Sequence, residues 1–259
     1  MSRIPVLNYL VLTLAGSATV RAADWYVAPG GDDSAAGTLE KPFATVQRAQ
    51  KSANPGDTVM IRGGTYRPKE TDIANRRGQF ASITYLNKSG AAGKPITYQA
   101  YQNEKPVFDC SDVKPSGMRV SAFSVTGSWL HLIGLEVTGV QVTIQGHTQS
   151  ICFENNGSHN VYERLSMHDG QAIGLYSVRG SDNLFLNCDA WNNWDSTSEG
   201  GKGGTPMASA AIRRKARPAM SSVAAALGST ATTASIASMP AKRSPSRTAG
   251  HSIMDFRRT

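Results

Sequence analysis

Between residues 24 and 204 the chain is built from short runs in which apolar and polar residues alternate. Val59 and Ile61 alternate with polar neighbours, as in a half-buried strand, and Leu132-Ile133-Gly134-Leu135-Glu136-Val137 does the same further on. Two later runs are copies of each other. Ser158-His159-Asn160-Val161-Tyr162 aligns with Ser181-Asp182-Asn183-Leu184-Phe185 at a shift of 23, which also pairs Gly157 with Gly180, Leu165 with Cys188 and Met167 with Ala190. A period in the low twenties predicts a solenoid, each repeat being one coil of two or three short strands stacked on the coil below. Val161 and Leu184 are then expected about 4.8 Å apart in adjacent coils. Asn160 and Asn183 fall at equivalent turns, where Asn tolerates the left-handed conformation and forms side-chain ladders. An antiparallel sandwich has strands of similar length, but it has no reason to keep a fixed shift. The expected fold class is therefore all-β, a parallel β-helix.

The segment ahead of the repeats reads as strand, polar turn, short amphipathic helix and second strand. Trp25-Tyr26-Val27 precedes the turn Pro29-Gly30-Gly31-Asp32-Asp33. A helix is expected near Phe43 to Ala53, with Val46, Ala49 and Ala53 on one face, and Pro55-Gly56-Asp57 marks the next turn. A helix over the first coil shields strand edges that a solenoid otherwise leaves open.

Residues 1–22 read as a secretory signal peptide: Arg3 is basic, Ile4 to Leu14 is a short apolar run, and Val20-Arg21-Ala22 offers small residues for cleavage near Ala22 or Ala23. The run is too short to span a bilayer. The expected location is extracellular or periplasmic, with no membrane partner. Cys110, Cys152 and Cys188 match no zinc spacing, and an odd number leaves at least one unpaired. Cys152 and Cys188 lie in apolar strand patterns and are expected to be buried core thiols.

The formal charge of +8 invites a nucleic-acid reading until its distribution is considered. The stretch from Thr205 to Thr259 holds nine Lys/Arg and one acid, Asp255, leaving 18 bases and 18 acids in the rest. The whole excess lies in this tail, where alternation also stops and Phe256 is the only aromatic residue. A disordered basic tail is one reading. Translation in the wrong frame is the sharper one. If each tail codon is read one base earlier, Thr205 through Ile212 can become NADGFGCH, and the residues from Met220 can become NVFRGCRAWFNSDDGFD. Methionine has a single codon, so two positions cannot be tuned: Ala208 must become Gly and Pro240 must become Ala. The text NVFRGCRAWFN also continues the chain's own repeat, matching Asn183 through Asn193 as a further coil. The domain expectation is thus a signal peptide over 1–22, cap and coils over 23–204, and an out-of-frame tail over 205–259 that is disordered or loosely helical.

The N-terminal cap pattern looks like that of secreted parallel β-helix proteins, many of them polysaccharide lyases. Trp191-Asn192-Asn193-Trp194-Asp195, then Gly200-Gly201 and the restored NADGF and SDDGFD, resembles family 9 pectate lyases. The resemblance implies a right-handed, pectate-lyase-like solenoid, here truncated, and polygalacturonate or pectin as the family's partner. It implies Ca2+ bound by the NADGF aspartate and the three aspartates of SDDGFD, with a lysine further along as base. Calcium would acidify the proton at C5 of a galacturonate unit, and a neutral lysine would remove it as the O4 oxygen leaves. In this chain those aspartates are replaced by Met207, Thr232, Thr233 and Ile236, and the lysine would fall beyond Thr259. No catalytic or metal residue is therefore assigned, and no Ca2+ is expected to bind tightly.

Asp195, Glu199 and Lys202 are weak substrate-groove candidates, with solvated loop charges as the alternative. His168-Asp169 is not expected to form a dyad, because adjacent strand residues point to opposite faces. Trp191 fits an inward coil position, so core is expected rather than sugar stacking. The expected function is a fragment of a secreted calcium-dependent pectate lyase, inactive as given. A non-catalytic carbohydrate-binding β-helix and a basic-tailed adhesin or nucleic-acid binder are the alternatives. No nucleic-acid partner is expected. The molecule is expected to be monomeric or to aggregate through Leu184, Leu186 and Trp191 on its last intact coil.

Overall fold

The computed structural model describes residues 22–146, 149–177, 179–198 and 211–212. All lie in the first of two compact units, Met1–Met220. The elements run β1 (Asp24–Val27), α1 (Val46–Ser52), β2 (Thr58–Ile61), β3 (Gly64–Tyr66), a 3-10 turn (Glu70–Asp72), β4 (Asn75–Arg77), β5 (Phe80–Leu86), β6 (Ile96–Ala100), β7 (Pro106–Asp109) and β8 (Arg119–Val125). They continue as β9 (Leu130–Ile133), β10 (Glu136–Thr138), β11 (Ile151–Asn155), β12 (Val161–Glu163), β13 (Ser166–His168), β14 (Ile173–Ser177), β15 (Leu184–Leu186), β16 (Asp189–Trp191) and β17 (Ala211–Ile212).

Three sheets form along the stack, in the orders β1-β2-β6-β9-β12-β15, β3-β7-β10-β13-β16 and β4-β5-β8-β11-β14-β17. Each coil contributes one strand to each sheet, so the architecture is a parallel β-helix; among the described strand pairs only β4–β5 is antiparallel. The 23-residue shift is the observed register: Val161 pairs with Leu184 and Met167 with Ala190. The longer spacing of the earlier copy is also real, since Leu130 bonds to Asn160, 30 residues on.

The core is a set of columns along the axis. Phe108 meets Phe123 edge-on at 5.0 Å, and Phe123 stacks on Phe153 at 4.9 Å. In the third sheet two consecutive residues per strand enter the core, Ala122 with Phe123 and Cys152 with Phe153, which breaks strict alternation. The asparagines form the expected ladder: Leu130 N–H donates to Asn160 Oδ1 and Asn160 N–H to Asn183 Oδ1, both at 2.9 Å. The left-handed residue, however, is the one before each asparagine, His159 and Asp182 with φ of 57° each, and Trp129, before Leu130, holds the same place one coil earlier with φ of 59°. The asparagine itself is not left-handed, and its side chain reaches the neighbouring coil. Two more left-handed series, Gly134/Arg164/Asn187 and Gly139/Asp169/Asn192, mark the other corners. Beside the ladder, a Cβ on Gly180 would strike the Gly157 carbonyl, and one on Gly157 the Gly127 carbonyl, so this column admits only glycine.

The cap helix begins three residues later than expected, because Thr45 is its N-cap and accepts from Arg48 N–H. Val46 and Ala49 face the core, and Ala53 is buried at the C-cap. Gln47 and Gln50 bond the main chain of β5: Gln47 Oε1 accepts from Tyr85 N–H, Gln50 Nε2 donates to Tyr85 C=O, and Gln50 Oε1 accepts from Asn87 N–H. The helix thus closes a strand edge as well as covering apolar side chains. Asp57 ties the first strand to the next turn, accepting from Ala23 N–H, Trp25 Nε1 and Asn54 N–H.

At the other end, Phe185 and Ala190 point inward while Leu184, Leu186 and Trp191 are exposed. The expectation of a core Trp191 is overturned: it lies on the outer face, stacked on the His168 ring at 4.2 Å. Cys152 is buried as expected, whereas Cys188 is only partly so; all three thiols are free. Beyond Ser198 only Ala211–Ile212 is described. It pairs in parallel with β14, a departure at these two residues from a tail expected to be disordered or loosely helical. The signal-peptide region and the rest of the tail lie outside the described residues.

Candidate functional site

Of the three groove candidates, only Asp195 is described, and the structure gives it another task. Its side chain is fully buried and accepts from Thr197 N–H at 2.9 Å, Ser198 N–H at 3.0 Å and the Ser198 hydroxyl. It caps the turn that leaves Trp194, whose own N–H bonds to Gly170 C=O. Fully buried and accepting three hydrogen bonds inside the turn, Asp195 presents no surface to a sugar, so the groove reading of this residue is withdrawn. Glu199 and Lys202 lie outside the described residues, as do Met207, Thr232, Thr233 and Ile236.

His168 and Asp169 do meet, contrary to expectation. Asp169 is not a strand residue but a left-handed corner residue, with φ of 51°, which turns its side chain back alongside His168. The His168 Nδ1 lies 2.8 Å from Asp169 Oδ2 and its Nε2 3.1 Å from Glu136 Oε1, one coil earlier. Hydrogen bonds from Asn192, then from His168, hold the Asp169 carboxyl below the usual carboxylate range. Both ring nitrogens face carboxylates and the ring face is under Trp191, so this imidazole is a strut between coils and has no nitrogen left for substrate.

On the outer face of the third sheet, Tyr85, Ser124, Glu154 and Tyr176 occupy one register column across β5, β8, β11 and β14. Glu154 accepts from Ser121 Oγ at 2.9 Å and from Asn156 Nδ2 at 3.2 Å. This column was missed in the sequence because the bulged, doubly buried pairs in these strands interrupt the alternation that would have flagged it. The arrangement is a polar wall in which Tyr85, Glu154 and Tyr176 are part-exposed and able to hydrogen-bond hydroxyls, while Ser124 is buried between them. Among the described residues no three His, Cys, Asp or Glu side chains converge as a metal site, and no helix is long and apolar enough to cross a membrane.

Comparison with known proteins gives this architecture a family. The family described as Pel9A-like, right-handed β-helix region matches residues 25–208. Pectate lyase L of Dickeya chrysanthemi is 33% identical over 178 residues, covering 68% of this chain and 39% of that protein. Pectate lyase PEL9 of Emericella nidulans is 29% identical over 185 residues, covering 70% and 42%. Among solved structures, a rhamnogalacturonan lyase superposes with a TM-score of 0.68 at 47% identity, over 71% of this chain and 45% of that one. Pectate lyase Pel9A gives 0.51 at 29% identity, over 67% and 40%. The chain therefore spans about two fifths of the length of the curated relatives it matches. Stacked parallel coils, a 23-residue register and a match across the whole cap-and-coil region together make this chain a member of the Pel9A-like right-handed β-helix family, whose fold it shares with polysaccharide lyases.

Proposed function

We propose that this chain is the N-terminal part of an exported lyase that cleaves galacturonate-containing polysaccharide by β-elimination, and that it has no lyase activity as given. The observation that carries the reading is the match over residues 25–208 to a family whose named relatives are pectate lyases. β-Elimination needs a base for the C5 proton and a positive centre beside the uronate carboxylate. The four positions where the resemblance puts calcium ligands hold a thioether, two hydroxyls and an alkyl chain. That donor set does not fit a hard cation, which takes oxygen ligands rich in carboxylate. The described coils are then a scaffold and binding surface, with the reacting groups encoded by the tail in its shifted frame. The match ends within a few residues of Gly204, where alternation stops, which is in keeping with that account.

Rhamnogalacturonan is a second substrate reading, favoured by the 47% identity to a rhamnogalacturonan lyase against 29–33% to the pectate lyases. The test is to assay two purified proteins on polygalacturonate and rhamnogalacturonan with calcium, following unsaturated uronate by ultraviolet absorbance. One is the chain as given. The other comes from a gene set back by one base at codon 205 and read on past codon 259 to the end of the restored frame, so that the base expected beyond Thr259 is included. The first is expected to be inert and the second active. Activity in the first, or none in the second on either polymer, refutes the reading.

A further inference from the structure

The first described coil carries an ordered cationic row on the same sheet as the polar wall. β4 folds back on β5, so Arg77 pairs with Phe80, and Phe80 in turn pairs with Arg119 of β8. Residues directly opposed on neighbouring strands share a face, so Arg77, Phe80 and Arg119 form one transverse line across three strands. Strands about 4.8 Å apart set the two arginine backbones about 10 Å from each other, a span comparable to a disaccharide. Phe80 between them is 44% exposed, unusual for a phenylalanine on a strand. The Arg119 guanidinium lies over its ring at 4.9 Å and is fixed there by a 2.7 Å bond from Nε to Gln149 C=O. Arg76, also exposed, donates from Nη2 to Glu70 C=O and lies 3.1 Å from Met118 Sδ through Nη1. Both arginines with described side-chain bonds thus take neutral partners there.

We propose that this row is a binding subsite for a galacturonate-containing chain, the carboxylates engaging Arg77 and Arg119 and a sugar face lying on Phe80. The inference rests on the pectic reading above and adds to it a place on the N-terminal coils. Charge complementarity names the occupant: guanidinium groups present forked donors that match a carboxylate, and an exposed ring is a platform for the C–H face of a sugar.

The test measures binding of the purified chain to polygalacturonate, with dextran and polyglutamate as comparison polymers. The basic tail is present in every variant, so its contribution cancels. Arg77→Gln with Arg119→Gln is expected to weaken polygalacturonate binding about tenfold. Phe80→Ala, which changes no charge, is expected to weaken it about threefold or more while leaving polyglutamate unaffected. Phe80→Leu keeps apolar bulk on the strand and is expected to match Phe80→Ala in binding with an unchanged melting temperature, so loss of fold is told apart from loss of contact. Wild-type affinity in the Arg pair, or equal losses on polyglutamate in the Phe80 variants, overturns the proposal and leaves the lyase reading intact. Failure of that reading shows instead in the frame-restored assay above.

Discussion

Replacing Asn160 by alanine should be among the costliest single changes in this β-helix. Asn160 is fully buried. Its Oδ1 accepts from Leu130 N–H, and its Nδ2 donates to Gly127 C=O and to Asn155 Oδ1, each at 2.9 Å. Alanine leaves the Leu130 donor and the Gly127 acceptor without these partners in the interior. Asn155 Oδ1 still accepts from the Tyr162 hydroxyl at 2.8 Å and is less affected. An unsatisfied buried group costs about 1–3 kcal/mol, so two orphaned groups give a loss of about 2–6 kcal/mol. Asn183 has the same place one coil on but is only part-buried and makes a single side-chain donation, to Gly157 C=O at 3.0 Å. Its alanine variant should lose about 1–2 kcal/mol. Urea denaturation followed by far-ultraviolet circular dichroism gives both values. Hydrogen exchange should show the Asn160 loss centred on β9 and β12, since coils contact only their neighbours. A loss under about 0.5 kcal/mol for Asn160→Ala, or a larger one for Asn183→Ala, would refute the ladder argument.

Asp57→Ala removes acceptors from Ala23 N–H, Trp25 Nε1 and Asn54 N–H and should cost about 2–4 kcal/mol, with Trp25 fluorescence shifting to the red; an unchanged spectrum and melt would count against it. Phe153→Ala opens a cavity in the aromatic column and should cost about 3–5 kcal/mol by the same denaturation assay. Burial raises the Cys110 thiol to about 12 and pushes the Cys152 thiol higher still. Raised folded-state values contribute stability that is fully present below the ordinary thiol range, about 8.5. That stability is lost as pH climbs from there toward 12, so the urea midpoint should fall across this window. A thiol reagent at neutral pH should react at Cys188 first, and equal rates at all three cysteines would contradict the burial pattern.

Much of the fold could be read directly from the chain because the solenoid writes its register into the sequence: the spacing of Asn160 and Asn183 is the spacing of their hydrogen bond. The cap helix was readable for the same reason, its apolar face having a simple period. The errors cluster at corners. Asp169 and Trp191 were placed by strand alternation, but a left-handed residue resets which way the next side chain points, and pattern alone does not mark it unless it is glycine. Asp195 looked like a groove charge because an acid in a loop next to two tryptophans gives no hint that its acceptors are used up in its own turn. The row across β4, β5 and β8 was invisible for a different reason: it depends on pairing between residues about forty positions apart, and only Arg77 and Phe80 are close in sequence.

The three left-handed corner series have a consequence for how such a chain can change. From Trp129 to His159 a coil takes thirty residues, and from His159 to Asp182 only 23, yet the asparagine ladder and the sheets run through both without a break. Most of the difference lies in the connection between the second and third sheets, Gly139 to Ser150 in one coil and Asp169 to Ala172 in the next, while the connection from the third sheet back to the first changes by a single residue. Each corner acts as a joint that fixes the direction of the following strand whatever length of chain precedes it. Loops can therefore lengthen or shorten at that one edge while the core columns keep their order, which leaves a lineage free to alter the rim beside the third sheet without refolding its interior.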